Sequence, residues 1–356
     1  MKRSVRRILS AAAGVIGAAV TAAALLLIIL SVREYCPKER ETVKISNNPD
    51  QKISENQEIS VLTWNTGYGA LSETEDFFMD GGKKVRPDHK ELVTDNIEAM
   101  KKVIKKSGAQ VVFLQEVDRN SKRSYYINET EAFSDGWNGS TGYARNFLCD
   151  YIPYPLPTIG KADAGLLTLN QFQSDQAERI SLPTPFSWPV RICQLKRCLF
   201  LERVPIEGSS RQVVFVNLHL EAYDDGSGKE AQTKLLAQIL EKEYEAGNYV
   251  IAGGDFNQTF EQVDADKYPV WDDDNFQAGK VEEDLFEEGW QFAADDSLPT
   301  CRLLNRPYDR SDKKTQFYVI DGFILSPNVK LEQVKTLNED FKNSDHNPVQ
   351  IKIKLK

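Results

Sequence analysis

Polar residues suited to phosphate chemistry stand at the ends of apolar segments throughout this chain. They are Asn65, Glu116, His219, Asp255, Asn257, Asp321, Asp345 and His346. Two of them are histidines, in a sequence of 356 residues that contains only 3. Asp and Asn at strand ends also form turns, so no single one of these residues indicates a functional site. Their recurrence at the ends of many apolar segments is what indicates one. Carboxylate and amide oxygens are ligands for hard cations such as Mg²⁺, and an imidazole held by a carboxylate can accept a proton near neutral pH.

The metal-binding candidates among these residues are Glu116, Asn65 and Asp345. Their oxygen atoms favour Mg²⁺, whereas a histidine pair without cysteine ligands is a weaker case for zinc. Asp321 and His346 are candidates for the carboxylate–imidazole pair. This set of residue types is the one needed for metal-assisted attack of water on phosphorus.

Short β-branched runs alternate with helical patterns from Glu58 onward, which predicts a layered α/β domain. A helix is expected in "DHKELVTDNIEAMKKVIKKSG", with Asp88 as N-cap and Gly108 after its end. A second helix is expected from Lys229 to Ala246. Strands are predicted in "ISVLTWN" and "QVVFLQEV" and at 164–169, 197–206, 212–220, 249–256, 316–325 and 348–355. Strand ends in such a domain converge on one edge, where loops form a cleft.

The ordered motifs "WN", "LQEVD", "NLHL", "GGDFN", "IDGFIL" and "SDHNPV" resemble the endonuclease/exonuclease/phosphatase superfamily. That superfamily includes DNase I-like nucleases, inositol polyphosphate 5-phosphatases and bacterial sphingomyelinases. The resemblance covers residues 57–356, which we expect to form one catalytic domain. It implies a four-layer α/β/β/α sandwich with the active site at one edge of two packed sheets. The segment "FFMDGGK" is similar to a bacterial subgroup rather than to the DNA-repair members.

Matched residue by residue, the resemblance implies that Glu116 is the principal ligand of Mg²⁺, with Mn²⁺ as the alternative ion. Asn65 and Asp345 would complete the metal site. His346, oriented by Asp321, would act as general base or electrostatic partner.

The same matching implies three roles around the reacting phosphate. Asp255 would position or activate the attacking water, while Asn257 and His219 would hold phosphate oxygens.

Substrate contacts are expected from the segment that follows Glu116. Arg119, Lys122 or Arg123 is placed to reach a phosphate, and Tyr125 or Tyr126 to lie against an organic group. The alternative is that these charges form a solvated loop and the tyrosines pack internally.

The first 33 residues predict a membrane anchor. Four basic residues precede an uncharged run at 8–32, long enough to cross a bilayer of about 30 Å as a helix. The charge distribution places the N-terminus in the cytoplasm and the catalytic domain outside. The alternative is a cleaved signal peptide and a secreted protein, although no small-residue cleavage site follows the apolar run. Residues 34–56 are polar and are expected to form a linker.

Charge and composition narrow the function classes. Residues 1–34 hold five of the 44 basic and one of the 53 acidic residues, so the remainder carries a net charge of −13. Such an acidic body is poorly suited to long nucleic acids. The leading hypothesis is a phosphohydrolase acting outside the cytoplasm on a small phosphorylated metabolite, a sugar phosphate or a lipid headgroup. The alternatives are an anchored nuclease and an anchored binding module without catalysis.

The five cysteines lack the spacing of a structural zinc site. Cys193 and Cys198 flank a predicted turn, "QLKR", between two strands. They could form a disulfide across a hairpin in an oxidising compartment or remain as two thiols.

Overall fold

The computed structural model describes residues 3–271 and 274–356. The α-helices in this part of the chain are α1 (Arg3–Val32), α2 (Lys90–Ser107), α3 (Glu129–Ser134) and α4 (Ser227–Glu245). The strands are β1 (Arg40–Thr42), β2 (Ile45–Ser46), β3 (Ile59–Asn65), β4 (Val111–Asp118), β5 (Ser140–Ile152), β6 (Gly160–Asn170), β7 (Gln176–Ser181), β8 (Cys198–Pro205), β9 (Gln212–His219), β10 (Tyr249–Asp255), β11 (Gln258–Thr259), β12 (Gly279–Lys280), β13 (Gln291–Ala293), β14 (Cys301–Arg302), β15 (Phe317–Tyr318), β16 (Asp321–Leu325), β17 (Val329–Thr336) and β18 (Val349–Leu355). Short 3₁₀ turns lie at Gly67–Gly69, Phe78–Asp80, Val190–Cys193, Ala265–Lys267 and Glu283–Leu285.

Two mixed seven-stranded sheets form the body of the protein. One has the strand order β17-β18-β3-β4-β6-β5-β2, and the other has β1-β7-β8-β9-β10-β16-β13. The pairs β3/β4 and β9/β10 are parallel, while the other pairs within these two sheets are antiparallel. Residues of β3, β4, β9, β10, β16 and β18 face each other across the sheets in one buried apolar cluster.

A helix covers the outer face of each sheet. Helix α2 buries Val93, Ile97, Met100 and Ile104 against β3 and β4, and α4 buries Leu236 and Leu240 against the other sheet. This confirms the predicted four-layer α/β/β/α sandwich. Apolar side chains spaced three and four residues apart give α2 the single apolar face that this packing needs.

The ends of α2 differ slightly from the prediction. Its N-cap is His89 rather than Asp88, while Gly108 takes the left-handed conformation at φ 66 that ends the helix. Asp88 instead pairs with Lys84 at 3.0 Å.

The predicted strand at 316–325 is two strands in different sheets. β15 pairs with β14, whereas β16 pairs with β10 and β13. Between them, the backbone N–H groups of Ile320 and Asp321 both donate to the Thr300 hydroxyl. The break places Asp321 at the start of β16.

Residues 34–56, expected to form a polar linker, lie along the edges of the sandwich. β1 pairs with β7 in one sheet and β2 pairs with β5 in the other. Ile53 is fully buried in the core between the sheets. The polarity of the segment suits edge strands, since these expose one side to water.

The predicted hairpin between Cys193 and Cys198 is wrong. Cys193 ends a 3₁₀ turn rather than a strand, and β8, which begins at Cys198, pairs with β7 and β9. All five cysteines are free thiols, and the Cys193 sulfur lies 3.5 Å from that of Cys149.

Helix α1 contains the apolar segment Arg7–Val32, whose mean hydropathy of 2.7 and length are sufficient to cross a membrane. Signal sequences and membrane anchors share that property. Most of the segment is exposed, but Leu30 near its end is buried, only 7% exposed.

Candidate active site

Strand register brings the polar residues of one sheet together. In the parallel pair β9/β10, His219 lies opposite Asp255. In the antiparallel pair β10/β16, Asp255 lies opposite Asp321. Three side chains that are far apart in sequence therefore meet at one edge of the sheet.

The other sheet contributes Asn65 and Glu116 from adjacent strands. Asn65 ends β3, and its amide nitrogen donates to Glu116 Oε1 at 3.2 Å and to Asp255 Oδ2 at 2.9 Å. Its amide oxygen accepts the backbone N–H of Gly67 at 3.0 Å. Asn65 thus links carboxylates from both sheets and fixes their spacing.

Glu116 has a backbone conformation that most residues avoid, with φ at 54. The β4/β6 register shifts between Leu114 and Val117, so Glu116 lies in a bulge. Such bulges re-aim side chains next to functional sites. Here the bulge directs Glu116 into the cavity, where its side chain is only partly covered.

His346 is held by a carboxylate behind it. Its Nδ1 lies 2.8 Å from Asp321 Oδ2, and its Nε2 faces Asp255 Oδ2 at 3.7 Å and Asp345 Oδ2 at 3.9 Å. Burial alone would lower the pKa of His346, but the negative charge of Asp321 and its neighbours raises that pKa well above its ordinary value. This shift favours the protonated, cationic form of His346.

His219 has the opposite electrostatic setting. Burial, together with the positive charges of Arg197 and His346, holds its pKa well below the ordinary value, so this imidazole is neutral. Its Nε2 lies 3.5 Å from Asp255 Oδ2. Its buried Nδ1 has no hydrogen-bond partner among the residues described.

Asp255 stands between the two histidines. Burial and the charge of Asp321 raise the pKa of Asp255 to about 6, despite the opposing effect of His346. Its Oδ1 accepts the backbone N–H of Asn257 at 2.9 Å. The Asn257 amide donates to the Leu220 carbonyl at 2.9 Å, which fixes that side chain at the cavity wall.

The donor set fits a hard divalent cation. Burial raises the pKa of Asp345 to about 7, which indicates a carboxylate held where a positive charge would stabilise it. Cys301, Asp345 and His346 could form a metal-binding group, as could Asp255, Asp321 and His346. Burial raises the pKa of Cys301 to about 12, so its thiol stays protonated and is a poor metal ligand. The remaining donors that face the cavity are mainly oxygen atoms, the ligands that Mg²⁺ and Mn²⁺ prefer.

Of the three residues predicted to contact substrate, one lines the cavity and two do not. Arg123 lines the cavity, where its guanidinium lies over the Tyr68 ring at 3.7 Å and forms two hydrogen bonds with Asp118. Arg119 and Tyr125 lie outside the cavity lining, and their contact with substrate stays a prediction.

Both outlying side chains have structural contacts instead. The guanidinium of Arg119 stacks over the Tyr143 ring at 3.6 Å and donates to Thr130. The Tyr125 hydroxyl donates to the Pro87 carbonyl at 2.7 Å.

Sequence reasoning missed further polar residues of the cavity. Tyr223 donates to Asp80 at 2.6 Å, and Arg197 pairs with Glu221 at 3.2 Å. All four side chains line the cavity. Asp80 belongs to "FFMDGGK", so that segment was the available signal. The other three lie within apolar or mixed stretches that carry no motif.

The cavity has a volume of about 850 Å³ and is lined by polar as well as apolar side chains. Its apolar lining includes Phe77, Phe78, Ile152, Tyr154 and Val190, together with Leu27 and Leu30 of α1. We call this set of side chains the apolar wall. The polar end comprises the strand-end residues grouped around Asp255.

Comparisons with known proteins agree with this architecture. A family model described as "Endonuclease/Exonuclease/phosphatase family" matches residues 62–346. An endonuclease/exonuclease/phosphatase structure from Beutenbergia cavernae DSM 12333 matches with a TM-score of 0.59 and 16% identity, covering 84% of this chain and 72% of that one. No curated protein sequence matched the chain.

Two further structures share the fold. A functionally unknown conserved protein from Enterococcus faecalis V583 has a TM-score of 0.54 and 14% identity, covering 84% of this chain and 100% of that one. The human Nocturnin catalytic domain, with a bound sulfate anion, has a TM-score of 0.52 and 15% identity, covering 88% and 97%. At these identities the likeness concerns the fold.

Proposed function

Because the chain belongs to the endonuclease/exonuclease/phosphatase family of metal-dependent hydrolases, we propose that it is an Mg²⁺-dependent phosphohydrolase whose substrate is a small phosphorylated metabolite, a sugar phosphate or a lipid headgroup. The observation that carries the proposal is the buried Asp321–His346 pair, whose second imidazole nitrogen lies 3.7 Å from Asp255 Oδ2.

Glu116 and Asp345, with Asn65, are the residues that would hold the metal. A bound Mg²⁺ would neutralise charge on the phosphate and polarise its oxygens. Asn65 keeps Glu116 in place through its amide nitrogen. The roles of these three residues as ligands remain part of the proposal.

Asp255 is the residue best suited to take the proton of the attacking water. A pKa of about 6 leaves its carboxylate ionised at neutral pH yet basic enough for proton transfer. His346, as a cation, would stabilise negative charge on the phosphate oxygens rather than act as the base. Between the two roles expected for His346, the electrostatic one therefore has the better support.

The neutral His219 and the fixed Asn257 complete the polar end. A neutral imidazole donates one hydrogen bond without adding another charge beside His346. We assign His219 to holding a phosphate oxygen or the Asp255 carboxylate, and Asn257 to keeping Asp255 in position through its backbone N–H.

We further propose that α1 is retained as an anchor, with the catalytic domain outside the cytoplasm. The basic residues before the span favour that orientation. Contacts beyond the helix support retention, because Glu34 is buried between Arg191 and Lys196, each 2.9 Å from it. Removal of the N-terminal segment would leave these two cations without their partner.

The test uses the full chain in detergent micelles and a panel of phosphomonoesters, phosphodiesters and plasmid DNA, each with Mg²⁺ and with EDTA. We expect Mg²⁺-dependent release of phosphate or of a phosphorylated fragment, lost in His346→Ala. His89→Ala is the matched control, since His89 is exposed and lies at the start of α2. Equal hydrolysis by both variants would contradict the assigned site, and degradation of DNA alone would favour the nuclease.

A further inference from the structure

The apolar wall connects the polar end of the cavity to the end of helix α1. Leu27 and Leu30 of the helix line the same cavity as Glu116 and His346. Leu30 is buried there, whereas most large apolar side chains of the helix are exposed. A surface able to contact hydrocarbon therefore runs from the proposed membrane segment to the reacting phosphate.

Polar contacts fix the helix end beside the cavity mouth. The Trp188 indole N–H donates to the Ser31 hydroxyl at 3.1 Å, and Arg33 pairs with Asp150 at 2.5 Å. Glu34 bonds Arg191 and Lys196 at the base of the turn that carries Val190. These contacts come directly after the apolar span, at the level of a bilayer surface.

Large exposed apolar side chains cluster in the two segments that form this side of the cavity. Tyr154 is 69% exposed and Leu156 88% in one segment, while Trp188 and Val190 are each 54% exposed in the other. Tyr154 packs edge-on against Phe78 of the apolar wall, at 5.9 Å between ring centroids. Tyrosine and tryptophan are the residues enriched at membrane interfaces, so this face is suited to lie on the bilayer that α1 enters.

We infer that the substrate is a membrane lipid bearing a phosphate ester, drawn up beside α1 with its hydrocarbon chain along the apolar wall. The inference rests on the proposed function and narrows its substrate class. A sugar phosphate would fill the polar end and leave Phe77, Ile152 and Val190 in water. A lipid covers that surface while its phosphate reaches Glu116 and His346.

The reaction is hydrolysis of one phosphate ester bond. Water adds its oxygen to phosphorus, the ester P–O bond breaks, and the departing oxygen gains a proton. With a monoester, the products are inorganic phosphate, released to water, and a chain-bearing alcohol that stays in the bilayer. No oxidant or second substrate is required.

The test compares esters that share a phosphate group and differ only in hydrocarbon. The full chain in non-ionic detergent micelles with Mg²⁺ is given diacylglycerol phosphate or glycerol phosphate, and in a second pair phosphatidylglycerol or glycerophosphoglycerol. We expect kcat/KM to be at least about tenfold higher for the chain-bearing member of one pair, because burial of each CH₂ strengthens binding. Equal kcat/KM within both pairs, or a preference for the chain-free ester, would overturn the inference while leaving the proposed hydrolase in place.

Two variants with the same Val→Asp change test whether the apolar wall is responsible for the preference for the chain-bearing ester. Val190→Asp places a charge on the apolar wall and should remove the preference for the chain-bearing ester. Val270→Asp makes the same change at a residue that is 61% exposed and lies outside the cavity lining, and should behave as wild type. Equal losses in both variants would contradict the assignment of the chain to this wall.

A measurement of lipid binding tests the lipid site even if no ester is hydrolysed. Radiolabelled diacylglycerol phosphate should copurify with the wild-type chain and with Val270→Asp, but be retained at least about tenfold less by Val190→Asp. That result without turnover would overturn the proposed function and keep the lipid site. Equal retention by all three proteins would overturn the lipid site itself.

Discussion

The two ends of the active-site cavity are built on different principles. At the polar end, strand register fixes the positions of side chains from both sheets. These side chains are buried, and hydrogen bonds such as the one between Asp321 and His346 hold them in place. At the apolar wall, side chains come from loops, 3₁₀ turns, the last residue of β5 and the end of α1, and several are exposed. On the proposed assignment, the polar end would determine which bond is broken, whereas the wall would determine what kind of molecule carries that bond.

This difference explains why the recognisable sequence motifs belong to the polar end and not to the apolar wall. A reacting phosphate needs groups placed within a fraction of an ångström, so each strand must end in a particular residue. A hydrocarbon chain needs only an apolar surface of suitable area. Substitutions at the polar end should therefore reduce kcat for every substrate, while those at the wall should act on selected substrates.

The largest effect is expected from Glu116→Gln. Loss of the carboxylate charge should reduce kcat by about 10³-fold, as expected when a main charge at the reacting centre is removed. Steady-state rates across a Mg²⁺ titration check this, with Glu98→Gln on the exposed surface of α2 as the control. A Glu116→Gln enzyme with more than about a tenth of wild-type kcat would mean that the polar end has been wrongly assigned.

A second prediction separates the two arginines of the segment after Glu116. Arg123→Ala leaves the fully buried Asp118 carboxylate without its cation, so the free energy of unfolding should fall by about 3–5 kcal/mol. Arg119→Ala removes a contact with Tyr143 and should cost about 1 kcal/mol. Urea unfolding of both variants measures the difference. Similar losses would indicate that Arg123 does not belong to the buried network of the polar end.

A third prediction concerns the pH profile of Asp321→Asn. The negative charge of Asp321 raises the pKa of both His346 and Asp255. With the proposed roles, activity requires Asp255 ionised and His346 protonated, so it should fall below the first pKa and above the second. Removing the charge lowers both values, and the acidic and alkaline limbs should both move to lower pH, with kcat reduced about 10²-fold.

The pH profile distinguishes this electrostatic role from a structural one. A variant that merely loosened the site would lose activity at every pH with unmoved limbs. Asp95→Asn, on the exposed side of α2, is the control for the substitution itself. An alkaline limb that stays in place would contradict the assignment of His346 as the cation.

The polar end could be predicted from sequence because its residues follow strands whose apolar pattern is clear. The sequence predicts that Asp321 and His346 form a pair, and their side chains lie 2.8 Å apart, although the predicted strand at 316–325 is interrupted just before Asp321. The motif alone predicts Glu116 as a residue of the site, and its positive φ is not needed for that prediction. A motif residue that stands at the end of a predicted strand is sufficient to predict a position at the polar end.

The rest depended on tertiary structure. Arg119 and Arg123 lie four residues apart on an irregular loop, and only the loop conformation decides which one enters the cavity. The apolar wall combines segments near residues 77, 152 and 190 with α1, and no periodicity links them. Residues 34–56 appeared to be a linker because the partners of an edge strand, here β5 and β7, are not visible in its own sequence.

The smallest expected effect tests whether a buried acid with a raised pKa is enough to identify the polar end. Glu202 in β8 is buried away from the cavity, and burial raises its pKa to about 7 from an ordinary 4.5, although Asn170 donates to it at 2.8 Å. Between those two values the folded protein binds the extra proton, so wild-type stability should fall as pH rises through that window. Glu202→Gln lacks this loss and should be more stable than wild type by about 1–2 kcal/mol at pH values above 7, with little difference near pH 5 and unchanged kcat. Unfolding measured at both pH values checks this. A parallel pH dependence in the two proteins would contradict the raised pKa of Glu202, and a loss of kcat would show that the functional network extends beyond the cavity.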